Sequence, residues 1–171
     1  MIPNDCSSAL AERETEQPVA SRVLVVGYGN SLRGDDAAGP LVAEAIEALD
    51  LDGVQVLVCH QLTPEISEKV ALMNEVIFID AEEGERPAEV REIFAGTESP
   101  VFGHVIDPGT ILALARDLFG RSPRAWLVTV RAHSFELGAS PSLDCAAGMA
   151  LATEVVKRLC GTSDCGPVDG A

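Results

Sequence analysis

The chain has 171 residues, 47% of them hydrophobic, and its 27 acidic side chains against 12 basic ones leave a net charge of −15. That length suits a single domain burying about two thirds of its unfolded surface, and the acidity argues against nucleic acid, an anionic membrane or polyphosphate as the main partner. No apolar run approaches the roughly 20 residues of a membrane-spanning helix.

Residues 1–21 carry Glu12, Glu14 and Glu16 but neither the basic start nor the apolar core of a secretory signal. A flexible leader on a cytoplasmic protein is therefore expected. Val23 to Val26 is a run of four aliphatic residues, the pattern of a strand buried on both faces in a parallel sheet. Gly27 and Gly29 follow, permitting positive φ or close backbone approach. The stretch then departs from a dinucleotide fingerprint. Leu32 stands where a third glycine is due, and Asp35 and Asp36 occupy the place where a phosphate would meet backbone N–H groups. In open α/β sheets this is the functional edge, and two carboxylates there suit a cation. A cap on the following helix accounts for one of them, Asp35, but not for both.

Leu41, Val42, Ala45, Ile46 and Leu49 recur at helical spacing, predicting a helix from Ala38 to Leu49 with Pro40 in its first turn. Val54 to Val58 is the second strand. After it, Cys59-His60-Gln61-Leu62-Thr63-Pro64-Glu65 predicts an N-cap at Thr63 and a helix beginning at Pro64 and running to Met73. A nicotinamide site would want an acid at the end of this strand to hold the ribose, and Cys59 and His60 stand there instead. Val76 to Ile79 is a third buried strand ending in Asp80-Ala81. A charge at the tip of a central strand is costly unless partnered, which makes Asp80 a site candidate.

Glu82 to Pro87 reads as a solvated turn, and Glu89 to Ala95 as a weaker strand suited to a sheet edge. Residues 96–108 have no strong period and contain His104. Asp107-Pro108 opens a helix with Ile111, Leu112, Ala115, Leu118 and Phe119 on one face, stopped by Gly120. Ala125 to Val130 is the last strand, and Ser142 caps a final helix from Leu143 to Leu159. Residues 162–171, rich in Gly, Asp and Pro, read as a loose tail. The expected architecture is one α/β domain over residues 22–161. It is a three-layer sandwich: a mostly parallel twisted sheet of about five strands, helices on both faces and one antiparallel edge strand.

Such a sheet gathers Asp36, Asp80 and His104 over one edge. Two carboxylates and an imidazole make a mixed oxygen and nitrogen set with open coordination positions, better suited to nickel or zinc than to calcium. Other chemistries fit less well. His133-Ser134 lacks a nucleophile elbow, and Cys59 and His60, as strand neighbours, point to opposite faces. The five cysteines, at positions 6, 59, 145, 160 and 165, show no ladder spacing and are expected as reduced thiols.

The pattern Gly27-x-Gly29-Asn30-x-Leu32-x-Gly34-Asp35-Asp36-x-x-Gly39 resembles the opening motif of the [NiFe]-hydrogenase maturation endopeptidases, and the resemblance runs in the same order of elements from about Val23 to Leu159. It implies an endopeptidase that removes the C-terminal extension of a hydrogenase large-subunit precursor after nickel insertion. Asp36, Asp80 and His104 match the family's metal-contacting and catalytic cluster. The nickel would be carried by the substrate and serve as the recognition signal, so no tightly held cofactor is expected, and the working form would be a monomer. Gly29, Asn30 and Asp35 would lie against the substrate. Many family members carry Asp-Gly-Gly-Thr after the second strand, where this chain has His60-Gln61-Leu62-Thr63-Pro64-Glu65; Gln61, Thr63 and Glu65 would contact the precursor there. The rival reading is a non-catalytic partner- or ligand-binding module on the same fold.

Overall fold

The computed structural model describes residues 22–96 and 106–161. The expected leader 1–21, the tail 162–171 and the loop residue His104, as well as Cys6 and Cys165, lie outside the described residues. Five strands, β1 (Val23–Tyr28), β2 (Val54–Cys59), β3 (Glu75–Glu82), β4 (Ala88–Ile93) and β5 (Arg124–Arg131), form one sheet in the order β2-β1-β3-β5-β4. All neighbours pair in parallel except β4, which runs antiparallel to β5 at the edge. The helices are α1 (Ala38–Glu47), α2 (Ile66–Ala71), α3 (Pro108–Phe119) and α4 (Leu143–Gly161).

Alternation along the strands divides the core in two. Leu24, Val26, Val76 and Phe78 face α2 and α3, packing with Ile66, Val70, Ile111 and Leu112. Val23, Val25, Ile77 and Ile79 face α1 and α4, packing with Val42, Ile46, Cys145 and Val156. The central strands β1 and β3 are thus buried on both sides, as unbroken aliphatic runs require, and the three-layer expectation is met.

Local chemistry sets the helix ends. The Asp107 side chain accepts from the Thr110 N–H at 2.7 Å and caps α3, which Gly120 stops in the left-handed region at φ 71°. Ser142 Oγ accepts from the Cys145 N–H at 3.2 Å at the start of α4. Two expectations shift. The segment from Gly34 to Ala37 forms a 3-10 turn before α1 rather than a simple cap. Thr63 does not cap α2: the chain turns through i+3 bonds, Ile66 N–H to Thr63 O and Ser67 N–H to Pro64 O, before the helix begins at Ile66. A proline disfavours the helical region for the residue before it, so the first regular α turn starts only after the tight one.

Candidate active site

The chain passes from β1 to β2 on one side of the sheet and then crosses to β3 on the other, so the carboxyl ends of β1 and β3 form the switch point where open α/β sheets bind ligands. A cavity of about 420 Å³ opens there. The turn after β1 contributes Gly29, Asn30, Arg33 and Asp36; the loop after β2 contributes His60, Gln61 and Leu62; and β3 contributes Asp80. Tyr28 at the end of β1, and Ile106 before α3, complete the lining among the described residues.

Register explains why Asp80 faces space. β1 pairs with β3 only as far as Gly27 opposite Ile79, whereas β3 continues against β5 to Glu82. Asp80 therefore sits just where its neighbour turns away. It shares a face with Phe78, two residues earlier, and so opens on the side of α2 and α3. Its Oδ1 accepts from the Ala81 N–H at 2.8 Å, and the Tyr28 hydroxyl donates to its carboxylate. Burial pushes the Asp80 carboxyl above the ordinary range. The hydrogen bonds from Tyr28 and Ala81 oppose this, while the charges of Asp36 and Glu82 add to it. The Tyr28 phenol is raised by burial first and by Asp80 second, so it stays protonated as the donor of this pair.

Asp36 reaches the same cavity because the turn after β1 folds back on itself. Its Oδ2 accepts from the Asn30 N–H at 3.1 Å. Gly29 makes this closure possible: its φ is 141°, and a Cβ there would overlap the Asp36 carbonyl oxygen.

Asp35 goes the other way. It is not part of the cavity lining; it is wholly buried, and its carboxylate accepts from the N–H groups of His133 (2.8 Å), Ser134 (3.0 Å) and Ser142 (2.6 Å) and from the Ser142 hydroxyl (3.0 Å). The expected substrate contact at this position is thus replaced by an internal one, because a residue beside Asp36 in a 3-10 turn points away from it. Its partners are backbone groups of a distant loop rather than of α1, which is why reading it as a cap on its own helix fails.

Asp36, Asp80, Gly29, Asn30 and Gln61 are therefore brought together. Thr63 and Glu65 lie outside this lining, with the Thr63 hydroxyl bonded to the exposed Glu65 carboxylate and Glu65's own backbone N–H holding that carboxyl down. Tyr28, Arg33 and His60 are the lining residues with functional groups that sequence reasoning passed over as site candidates. Tyr28 had a usable signal, since it stands between Gly27 and Gly29 at the end of the first aliphatic run. Cys59 ends β2 with its thiol pushed up by burial. Among the described residues no three His, Cys, Asp or Glu side chains stand close enough to hold a metal ion.

No family model matches the sequence, and no curated protein matches it. Solved structures do. The hydrogenase maturating endopeptidase HybD of E. coli is 26% identical over 84% of this chain and 94% of its own, with a TM-score of 0.67. The [NiFe] hydrogenase maturation protease HycI of Thermococcus kodakarensis KOD1 is 24% identical over 82% and 93%, with a TM-score of 0.66. The hydrogenase 2 maturation peptidase of Thaumarchaeota archaeon SCGC_AB-539-E09 is 23% identical over 82% and 99%, with a TM-score of 0.62, and like HycI it bears on the fold alone. With the same fold over nearly the full length of these proteins, and the long glycine and aspartate motif folded around the switch-point cavity, the chain is similar to the [NiFe]-hydrogenase maturation endopeptidases both in fold and in the turn that builds the site.

Proposed function

We propose that this peptidase removes the C-terminal extension of a [NiFe]-hydrogenase large-subunit precursor once nickel has been inserted, and that the nickel carried by the precursor is what the cavity recognises. The observation that carries this reading is the pairing of Asp36 and Asp80 on one switch-point cavity, each oriented by a backbone N–H. Burial raises the Asp80 carboxyl first, and repulsion from the Asp36 carboxylate adds to it. A divalent cation on the substrate relieves that repulsion, so binding favours the metal-loaded precursor over the empty one. His104 is the proposed third contact; it precedes by two residues Ile106, which lines the cavity.

In the peptide-bond step the chain's own groups have distinct tasks. Asp80, held by Tyr28 and Ala81 and with its carboxyl raised by burial, suits proton exchange with an attacking water. Asp36, oriented by the Asn30 N–H, suits contact with the metal. Gln61 and His60, on the opposite loop, suit contact with the peptide. Nickel supplies charge neutralisation and polarises whatever oxygen it touches.

The test is to incubate the protein with nickel-loaded and with nickel-free precursor and to follow intact masses. Loss of the extension is expected from the loaded form only. Asp36→Asn should leave loaded precursor uncleaved while melting at or above the parent temperature, because it removes one of two repelling charges. Equal cleavage of both precursor forms would remove nickel recognition; cleavage at the parent rate by a folded Asp36→Asn protein would remove Asp36 from the site.

A further inference from the structure

The charge within the cavity is divided. Asp36 and Asp80 stand on it together with one cation, Arg33, the only Lys or Arg in its lining among the described residues. In a chain of net charge −15, a guanidinium beside two carboxylates would be expected to collapse onto one of them. It does not: Arg33 takes part in none of the ion pairs found among the described residues.

Two structural features keep it apart. Its Nε donates to the Phe135 carbonyl oxygen at 3.3 Å, across 102 positions of sequence. Its backbone is clamped to the same loop on both sides: the Gly138 N–H donates to Leu32 O at 2.7 Å, the Gly34 N–H to Ala139 O at 3.2 Å and the Asp35 N–H to Ser134 O at 2.8 Å. Buried Asp35 locks that loop from beneath through His133, Ser134 and Ser142. Arg33 is thus fixed by Nε, with both terminal nitrogens of the exposed guanidinium left to meet a ligand. A planar fork of this kind matches a carboxylate with two parallel hydrogen bonds.

We infer that Arg33 is an anion subsite at the rim of the cavity, taking a carboxylate of the bound precursor. The inference rests on the peptidase reading above for its substrate. It gives the peptide a direction, with the metal-bearing part at the Asp36 and Asp80 end and an acidic group at the Arg33 end. That carboxylate comes either from an acidic side chain near the cut or from the C-terminus of the extension.

The experiment measures binding of nickel-loaded precursor to parent, Arg33→Gln and Arg33→Lys proteins, with cleavage followed separately by mass on the same samples. Arg33→Gln should weaken binding about tenfold at low salt and less as salt rises, with an unchanged melting temperature; Arg33→Lys should fall between. Two altered precursors locate the partner. One has the acidic side chains flanking the cut replaced by amides, the other has its terminal carboxylate amidated. The one that meets Arg33 should bind the parent and Arg33→Gln proteins equally. Absence of binding, equal binding of unaltered precursor by parent and Arg33→Gln, or a difference that persists with both altered precursors overturns the subsite. Arg33-dependent binding without cleavage upholds the subsite and sinks the peptidase reading alone.

Discussion

Burial alone would raise the Asp35 carboxyl, but the N–H groups of His133, Ser142 and Ser134 and the Ser142 hydroxyl outweigh it and hold the pKa at about 2, below the ordinary 3.8. A folded pKa below the unfolded one means stability that is fully present above pH 4 and is lost as pH falls toward 2; the difference is worth about 2 kcal/mol. Asp35→Asn should therefore cost about 2–4 kcal/mol in denaturant melts at pH 7, since its amide NH₂ would face N–H donors, and the gap to the parent should narrow as the parent is acidified. Asp36 beside it has the opposite character, half-buried, with one backbone partner. Tyr28 belongs with Asp80. Tyr28→Phe removes the hydroxyl that orients the carboxylate, and precursor cleavage should slow about tenfold, a loss of one hydrogen bond of roughly 1–1.5 kcal/mol, with little change in melting temperature. An unaltered single-turnover rate would show that Asp80 needs no such orientation.

At the scale of elements, the seat of α1 on the sheet is set by backbone contact. A Cβ on Gly39 would overlap the Tyr28 carbonyl oxygen and meet that of Ile79 at 2.6 Å. The first turn of α1 therefore lies directly across the ends of β1 and β3, which is also what carries the preceding Asp35 and Asp36 to their places. Backbone cannot retreat as a side-chain tip can, so Gly39→Ala should cost about 2–4 kcal/mol and reduce soluble yield, read from denaturant midpoints. The turn and the strand ends should loosen together, so cleavage by any folded fraction should fall too. A Gly39→Ala protein with parent stability would mean that α1 can shift without disturbing the strand ends.

The whole molecule carries 27 acids against 12 bases, and its ion pairs among the described residues lie mostly in exposed positions. Such pairs contribute little and lose little to screening, whereas the self-repulsion of a net charge of −15 acts through the entire fold. Raising salt from about 20 mM to about 200 mM shortens the screening length to below about 10 Å. The melting temperature at pH 7 should rise by a few degrees over that range, as scanning calorimetry would show. A fall would mean that attractive pairs outweigh the repulsion. Against that acidity, Arg33 is the only Lys or Arg in the cavity lining among the described residues.

Local patterns settled the order and type of the elements. Four aliphatic residues in a row at β1 and β3 can be buried only between two helix layers, the weak charged run at β4 suits an edge, and Asp107-Pro108 and Gly120 bracket α3 through chemistry acting within a few residues. The motif from Gly27 to Gly39 likewise marked out the turn after β1, which lines the switch-point cavity, because glycine requirements are local. What only the tertiary structure decided is which carboxylate faces where. Asp35 and Asp36 are indistinguishable as letters, and their fates diverge through partners about a hundred residues away, at His133, Ser134 and Ser142, with which Asp35 pairs. Tyr28 and Arg33 entered the site for the same reason: the contact to Asp80 depends on strand register across β1 and β3, and the Phe135 anchor on a loop from beyond β5. Contacts that join distant parts of the chain leave no local period to read, so the sequence names the edge while the packed fold assigns each side chain its side of it.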